Sequence, residues 1–158
     1  MSEHQAHIQW KRQANERFTD LKFSRAHTWQ FDGGVAVPAS SAPTAVPLPY
    51  SKPENVDPEE AFVAAISSCH MLTFIWLAAK DKFVVDSYDD TAVGHLARND
   101  KGKMAVNLVR LEPKVIFSGE KVPTEADIER LHHGAHEQCF IANSVNTEIT
   151  VGGSWTKL

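Results

Sequence analysis

Cys69 and Cys139 are the two cysteines of this 158-residue chain, and apart from three methionines they are its only sulfur. A cysteine acts as nucleophile or redox centre through its thiolate, which a nearby cation or helix N-terminus favours. Far apart in sequence, the two cannot make a local Cys-x-x-Cys site, yet two packed helices could bring them together. They are then either a thiol–disulfide pair or two small side chains in a core, since free cysteine is among the most buried residue types. Cys69 lies about three turns into an apolar, helix-like stretch, beyond the reach of that helix's dipole, so its cation must come from elsewhere. Arg12, Arg17 and Arg25 of the N-terminal third are the candidates, and spacing does not choose among them. Cys139 closes a second helical stretch beside Gln138 and Asn143, an odd place for a residue that only packs. A rival grouping is His132, His136 and Cys139, spaced to share one helix face as zinc ligands. A fourth ligand is not evident, so the plainer expectation for the histidines is a polar helix face.

The elements that must position these residues are legible from their punctuation. His7–Lys11 and His27–Phe31 alternate as strands, and Asp32-Gly33-Gly34 turns the chain into Val35-Ala36-Val37. Prolines 38, 43, 47, 49, 53 and 58 mark a long extended surface loop, a feature more often functional than idle. Asp57-Pro58-Glu59-Glu60 starts a helix, with Asp57 as cap, Pro58 in the first position and Glu60 completing a capping box. The helix is apolar on more than one face, which predicts a helix buried through the middle of the fold. Strands are expected at Thr91–Leu96, Met104–Leu111 and Lys114–Ser118, with Asn99–Gly102 as a second hairpin turn. Thr124 caps a second helix with Asp127 at the reciprocal position, and Thr147–Val151 is the last strand. Without regular strand–helix alternation, this is an α+β fold with a largely antiparallel sheet and a long central buried helix.

Composition narrows the function. One domain spanning residues 1–158 is expected at this length. A net charge of −4 leaves no basic stripe to neutralise phosphates, which argues against nucleic acid. The N-terminus shows no secretory pattern, and the apolar-leaning run Met71–Ala79 is too short for a bilayer, so no membrane role is expected. The expected compartment is the cytosol, where cysteine pairs are transient, catalytic or sensing rather than structural.

Three stretches resemble the OsmC/Ohr family, the osmotically inducible and organic hydroperoxide resistance proteins. Asp57-Pro-Glu-Glu-Ala-Phe-Val-Ala-Ala-Ile-Ser-Ser-Cys69 is similar to its helix leading to a peroxidatic cysteine. Cys139-Phe-Ile-Ala-Asn-Ser144 resembles its second-cysteine motif, with Phe140 where proline is usual. Arg25, seven residues before the Asp32-Gly33 turn, resembles the arginine of its first hairpin. Together these cover roughly residues 20–155. The resemblance implies that Cys69 is the peroxidatic thiolate and Cys139 the resolving thiol. It further implies that Arg25 stabilises the thiolate and orients the peroxide, and that Glu59 positions the arginine. The implied function is a thiol-dependent peroxidase acting on organic hydroperoxides, with no bound cofactor and an external dithiol reductant of the lipoyl type. The alternative is a non-enzymatic redox sensor or a small apolar ligand-binding protein of the same fold. The implied assembly is an intertwined homodimer with sites at the interface. That fits a geometric constraint, because ten residues of helix rise about 15 Å, so Glu59 and Cys69 on one unbroken helix cannot both touch one arginine. Either the helix breaks after its first turns, or two subunits share the site, or Glu60 substitutes.

Overall fold

The structure, a computed structural model, describes residues 1–158 and divides into two compact units, Met1–Ala61 and Phe62–Leu158. The first unit holds a three-stranded antiparallel sheet of β1 (Ala6–Gln9), β2 (His27–Phe31) and β3 (Ala36–Ala39). The Asp-Gly-Gly turn closes β2 onto β3 as expected, with Gly34 at φ +87°, where a side chain would be strained. The proline-rich segment that follows is tied down rather than free. Ser40 donates its N–H to Val56 at 3.0 Å, Val56 returns one to Pro38 at 3.1 Å, and Ser40 and Ser51 are buried.

Helix α1 (Pro58–Lys80) begins with the expected capping box. Asp57 Oδ1 accepts from the Glu60 N–H at 2.8 Å, and Glu60 Oε2 accepts from the Asp57 N–H at 3.0 Å. The helix then runs without a break for 23 residues. Its burial corrects the sequence reading. Only a four-residue stripe, Ile66, His70, Phe74 and Ala78, is buried in this chain, while Leu72 and Trp76 are more than half exposed. By length and composition alone the helix could cross a membrane, so the apolar run is longer than Met71–Ala79 suggested.

The second unit places two three-stranded sheets against that stripe. One has the order β4 (Val84–Asp89), β7 (Lys114–Ser118), β9 (Ser154–Lys157), and the other β5 (Val93–Arg98), β6 (Met104–Leu111), β8 (Glu148–Val151). The hairpin β5·β6 and the non-consecutive pair β4·β7 are antiparallel, but β6·β8 and β7·β9 are parallel, so the sheets are mixed. Two strands lay outside the sequence reading. In β4 a bulge between Val85 and Ser87 puts the inward Val85 and Tyr88 three residues apart, which hides the period-two signal. In β9 a single half-buried apolar residue, Trp155, carries the whole pattern.

Helix α2 (Glu125–Gln138) has the capping box read from Thr124 and Asp127, with both reciprocal bonds present. It packs through Leu131 and Ala135 into a core with Phe74, Ala78, Phe83, Val115 and Phe117. A second cluster of Ile66, Val109 and Leu111 lies under the earlier turns of α1, against β6. β5 approaches α1 tightly at Gly94, where a Cβ would stand 2.4 Å from Val63 Cγ2. The sheets and α2 therefore hold one face of α1 rigidly, and that face carries the candidate site.

Candidate functional site

Cys69 lies mid-way along α1 and is half-buried, with its carbonyl accepting from Thr73 Oγ1 at 2.9 Å. Cys139 is the C-cap of α2 and is 1% exposed. The packing of α2 on α1 makes Cys69 and Cys139 neighbours, close enough for one to perturb the ionisation of the other, and neither is in a disulfide. The chain beyond Cys139 folds back over it. A 3₁₀ turn at Ala142–Ser144 aims the Ala142 N–H at Cys139 Sγ, 3.3 Å away. Asn143 donates to the Cys139 carbonyl from both its backbone and its side chain, each at 3.0 Å. Those bonds end α2, and they give the Asn-Ser sequence after Cys139 a structural role. Burial pushes the Cys139 thiol up to about 11; the adjacent Cys69 thiol adds to the rise, and the Ala142 N–H opposes it.

Next to Cys69, His70 points into the core and is 1% exposed. Its Nε2 lies 3.1 Å from Nδ1 of His132 on α2, with the two rings nearly parallel at 12°. One nitrogen donates and the other accepts, so one nitrogen of each ring is paired and at least one of the two rings is neutral. His132 also lies against Phe74, ring centroids 4.4 Å apart. Burial lowers His70 to about 4, helped by the nearby charges of His132 and His136. Burial likewise lowers His132 to about 4, against an opposing pull from Asp90. The expectation of a polar histidine face is thus corrected for His132, while His133 and His136 are exposed. His132, His136 and Cys139 do not gather as a three-ligand metal group, because His132 is turned toward His70. The four-residue stripe was the available signal for His70, since it stands four residues after Ile66 and four before Phe74.

The other two candidates belong to Met1–Ala61. Arg25 is half-buried, and its guanidinium donates to the carbonyls of Phe23 and Leu21, the latter at 3.1 Å. It also lies 3.6 Å over the Phe23 ring, and its backbone N–H donates to Tyr50 at 2.7 Å. Arg25 is therefore anchored at the junction of the first hairpin and the proline-rich segment. Glu59 is half-buried in the first turn of α1, where negative charge suits the helix dipole. Glu60 is committed to the capping box, which leaves Glu59 as the acid of that turn without a local capping task.

The model of the OsmC family, described as OsmC-like protein, matches residues 51–152. An OsmC-like protein of unknown function from Vibrio cholerae is 56% identical over 98% of this chain and 100% of its own, with a TM-score of 0.95. An organic hydroperoxide resistance protein from Elizabethkingia anophelis, crystallised with thiocyanate, superposes at a TM-score of 0.68 over 100% of this chain and 98% of its own, with 15% identity. The organic hydroperoxide resistance protein OhrB of Bacillus subtilis gives 0.59 over 98% of both chains, with 14% identity. At those identities the last two are alike in fold. No curated protein matches the chain in sequence.

Proposed function

The chain belongs to the OsmC-like protein family, and from that premise we propose that it is a thiol-dependent peroxidase of organic hydroperoxides. The observation that carries the reading is that Cys69 and Cys139, one on each of two packed helices, are near neighbours. In the first step the Cys69 thiolate attacks the terminal oxygen of ROOH. An S–O bond forms, the O–O bond breaks, and the alcohol leaves with a proton, giving a sulfenic acid. The Cys139 sulfur then attacks the Cys69 sulfur, the S–S bond forms and water leaves. An external dithiol, which is itself oxidised to a disulfide, returns both thiols. Disulfide closure requires the two Cα atoms to stand within about 7 Å of each other, and the neighbouring placement of the two cysteines is what supports this step.

Arg25 takes the role of holding the thiolate and the peroxide oxygens, and Glu59 that of orienting the guanidinium; both assignments rest on the family pattern. The unbroken course of α1 removes a helix break as the way to reconcile Glu59 with Cys69, and the capping role of Glu60 speaks against it as substitute. A site shared between two subunits remains, in line with a homodimer. The exposed Leu72 and Trp76 and the open apolar groove of about 800 Å³ beside them, which Phe83 and Val85 also line, support a second copy there.

Steady-state consumption of an organic hydroperoxide with an excess of dithiol tests the reading. Cys69→Ser should abolish turnover, and Cys139→Ser should give a single turnover followed by over-oxidation of Cys69, seen as added oxygens by mass spectrometry. Full consumption by Cys69→Ser would sink the assignment. A single stoichiometric oxidation of the wild-type chain that no dithiol turns into a cycle would favour the sensor reading instead.

A further inference from the structure

Two imidazoles, buried His70 and half-buried His132, take no part in the sulfur chemistry described above, yet they span the same pair of helices. His70 directly follows Cys69 on α1, and His132 precedes Cys139 by seven residues, two turns, on α2. Residues seven apart share a helix face, so α2 meets α1 along one side through the His132–His70 hydrogen bond and through the neighbouring Cys139 and Cys69. The rest of that interface is apolar: Phe74 and Ala78 on α1 against Leu131 and Ala135 on α2. Apolar packing is non-directional and tolerates small slides and rotations, whereas a hydrogen bond between two rings loses its strength steeply with distance and angle. A slide or rotation of α2 that separated the sulfurs would also break the imidazole bond and leave the buried His70 nitrogen unpaired, which is costly. His132 is held on its other side by Phe74, and His136 and Asp90 are the remaining titratable groups facing the pair.

We propose that the His70–His132 hydrogen bond is a register pin that holds α2 on α1 where Cys69 and Cys139 meet, and so favours closure of their disulfide. The two imidazoles are positioning residues; they touch neither substrate nor sulfur in this role. The proposal rests on the dithiol reading given above, but its readout needs no peroxide. In closure by oxidised glutathione, the two thiols give up two protons and two electrons. One S–S bond forms between Cys69 and Cys139, that of glutathione breaks, and two molecules of reduced glutathione are released.

The full-length chain is equilibrated in glutathione buffers of graded ratio, free thiols are trapped, and the disulfide fraction is read by mass spectrometry. His132→Leu, which keeps bulk but removes the bond, should lower the equilibrium constant for closure at least tenfold, a potential about 30 mV more oxidising. His132→Asn, whose amide stands near the position of Nδ1, should restore it to within about threefold. A purely structural role would lower the melting temperature in both variants without separating their redox equilibria. Should His132→Leu fail to fold, His132→Gln, whose amide overshoots that position, takes its place with the same expected loss. His132→Leu, or His132→Gln in its place, closing with the wild-type constant, or Leu and Asn shifting it together, overturns the pin. A wild-type chain that forms no disulfide at any ratio overturns the dithiol reading and the pin with it, so the two failures are told apart.

Discussion

Cys139 owes its character to three neighbours of different kinds: the core that buries it, the Cys69 thiol beside it and the Ala142 N–H aimed at its sulfur. The first two raise its thiol and outweigh the third, so at neutral pH it is overwhelmingly protonated. Iodoacetamide at pH 7 to 8 should therefore label half-buried Cys69 well ahead of Cys139, with Cys139 labelling climbing only as the pH approaches 11. Peptide mapping of timed samples checks this, and Cys139 labelling first would contradict its burial. The histidine pair makes a separate prediction. Both rings titrate near 4 in the folded chain against 6.5 as the ordinary value, so between those values the unfolded chain binds protons that the native chain refuses. Stability is therefore complete above about pH 6.5 and falls as the pH drops toward 4, by about 3 kcal/mol for fully buried His70 alone. Urea unfolding at a series of pH values should show that slope, and a flat profile over this window would contradict a neutral buried pair. Sequence spacing gave Cys69 and Cys139 as candidates; that His70 faces inward was readable from the stripe, but that His132 meets it was not.

Helix starts are the most legible elements, because a cap is a local bargain between a side chain and backbone groups three residues away. Both capping boxes, Asp57 with Glu60 and Thr124 with Asp127, stand where the residue types place them. The hairpin turns at Asp32–Gly34 and Asn99–Gly102 are equally local. Strand β4 escapes a sequence reading because its bulge depends on the partner strand, and the parallel pairing of β8 with β6 and of β9 with β7 depends on long-range contacts that no neighbouring residue reports. Packing at this scale can be tested at Gly94. Adding a methyl there places it 2.4 Å from Val63, so Gly94→Ala should cost about 1–3 kcal/mol as α1 is pushed from β5. Val63→Ala in the same chain should recover part of that loss, so that the double variant is more stable in thermal melts than the sum of the singles requires. Strict additivity would mean that the two residues do not meet.

For the whole molecule, the one-sided burial of α1 is the informative departure from expectation. An all-round apolar helix is a signal of burial, yet more than half of each of Leu72 and Trp76 is exposed in this chain. A contiguous apolar surface of this kind marks an interaction site, and a second copy of the chain is the proposed occupant. Sedimentation equilibrium should find a dimer, and Trp76→Asp should shift the chain toward monomer while far-ultraviolet circular dichroism stays unchanged. A wild-type chain that sediments as a monomer at all concentrations would contradict the proposed assembly. By itself the sequence determined what depends on near neighbours: the α+β class, both helix starts, the hairpins and the two cysteine motifs, with the family likeness those motifs carry. Tertiary structure alone decided what depends on packing between elements: the nearness of the two cysteines, the histidine pair, the mixed sheets and the half-bare central helix. The physical reason is range. Caps and turns are fixed by bonds that span a few residues, whereas the meeting of Cys69 with Cys139 requires α2 to find its place on α1 across the whole second unit.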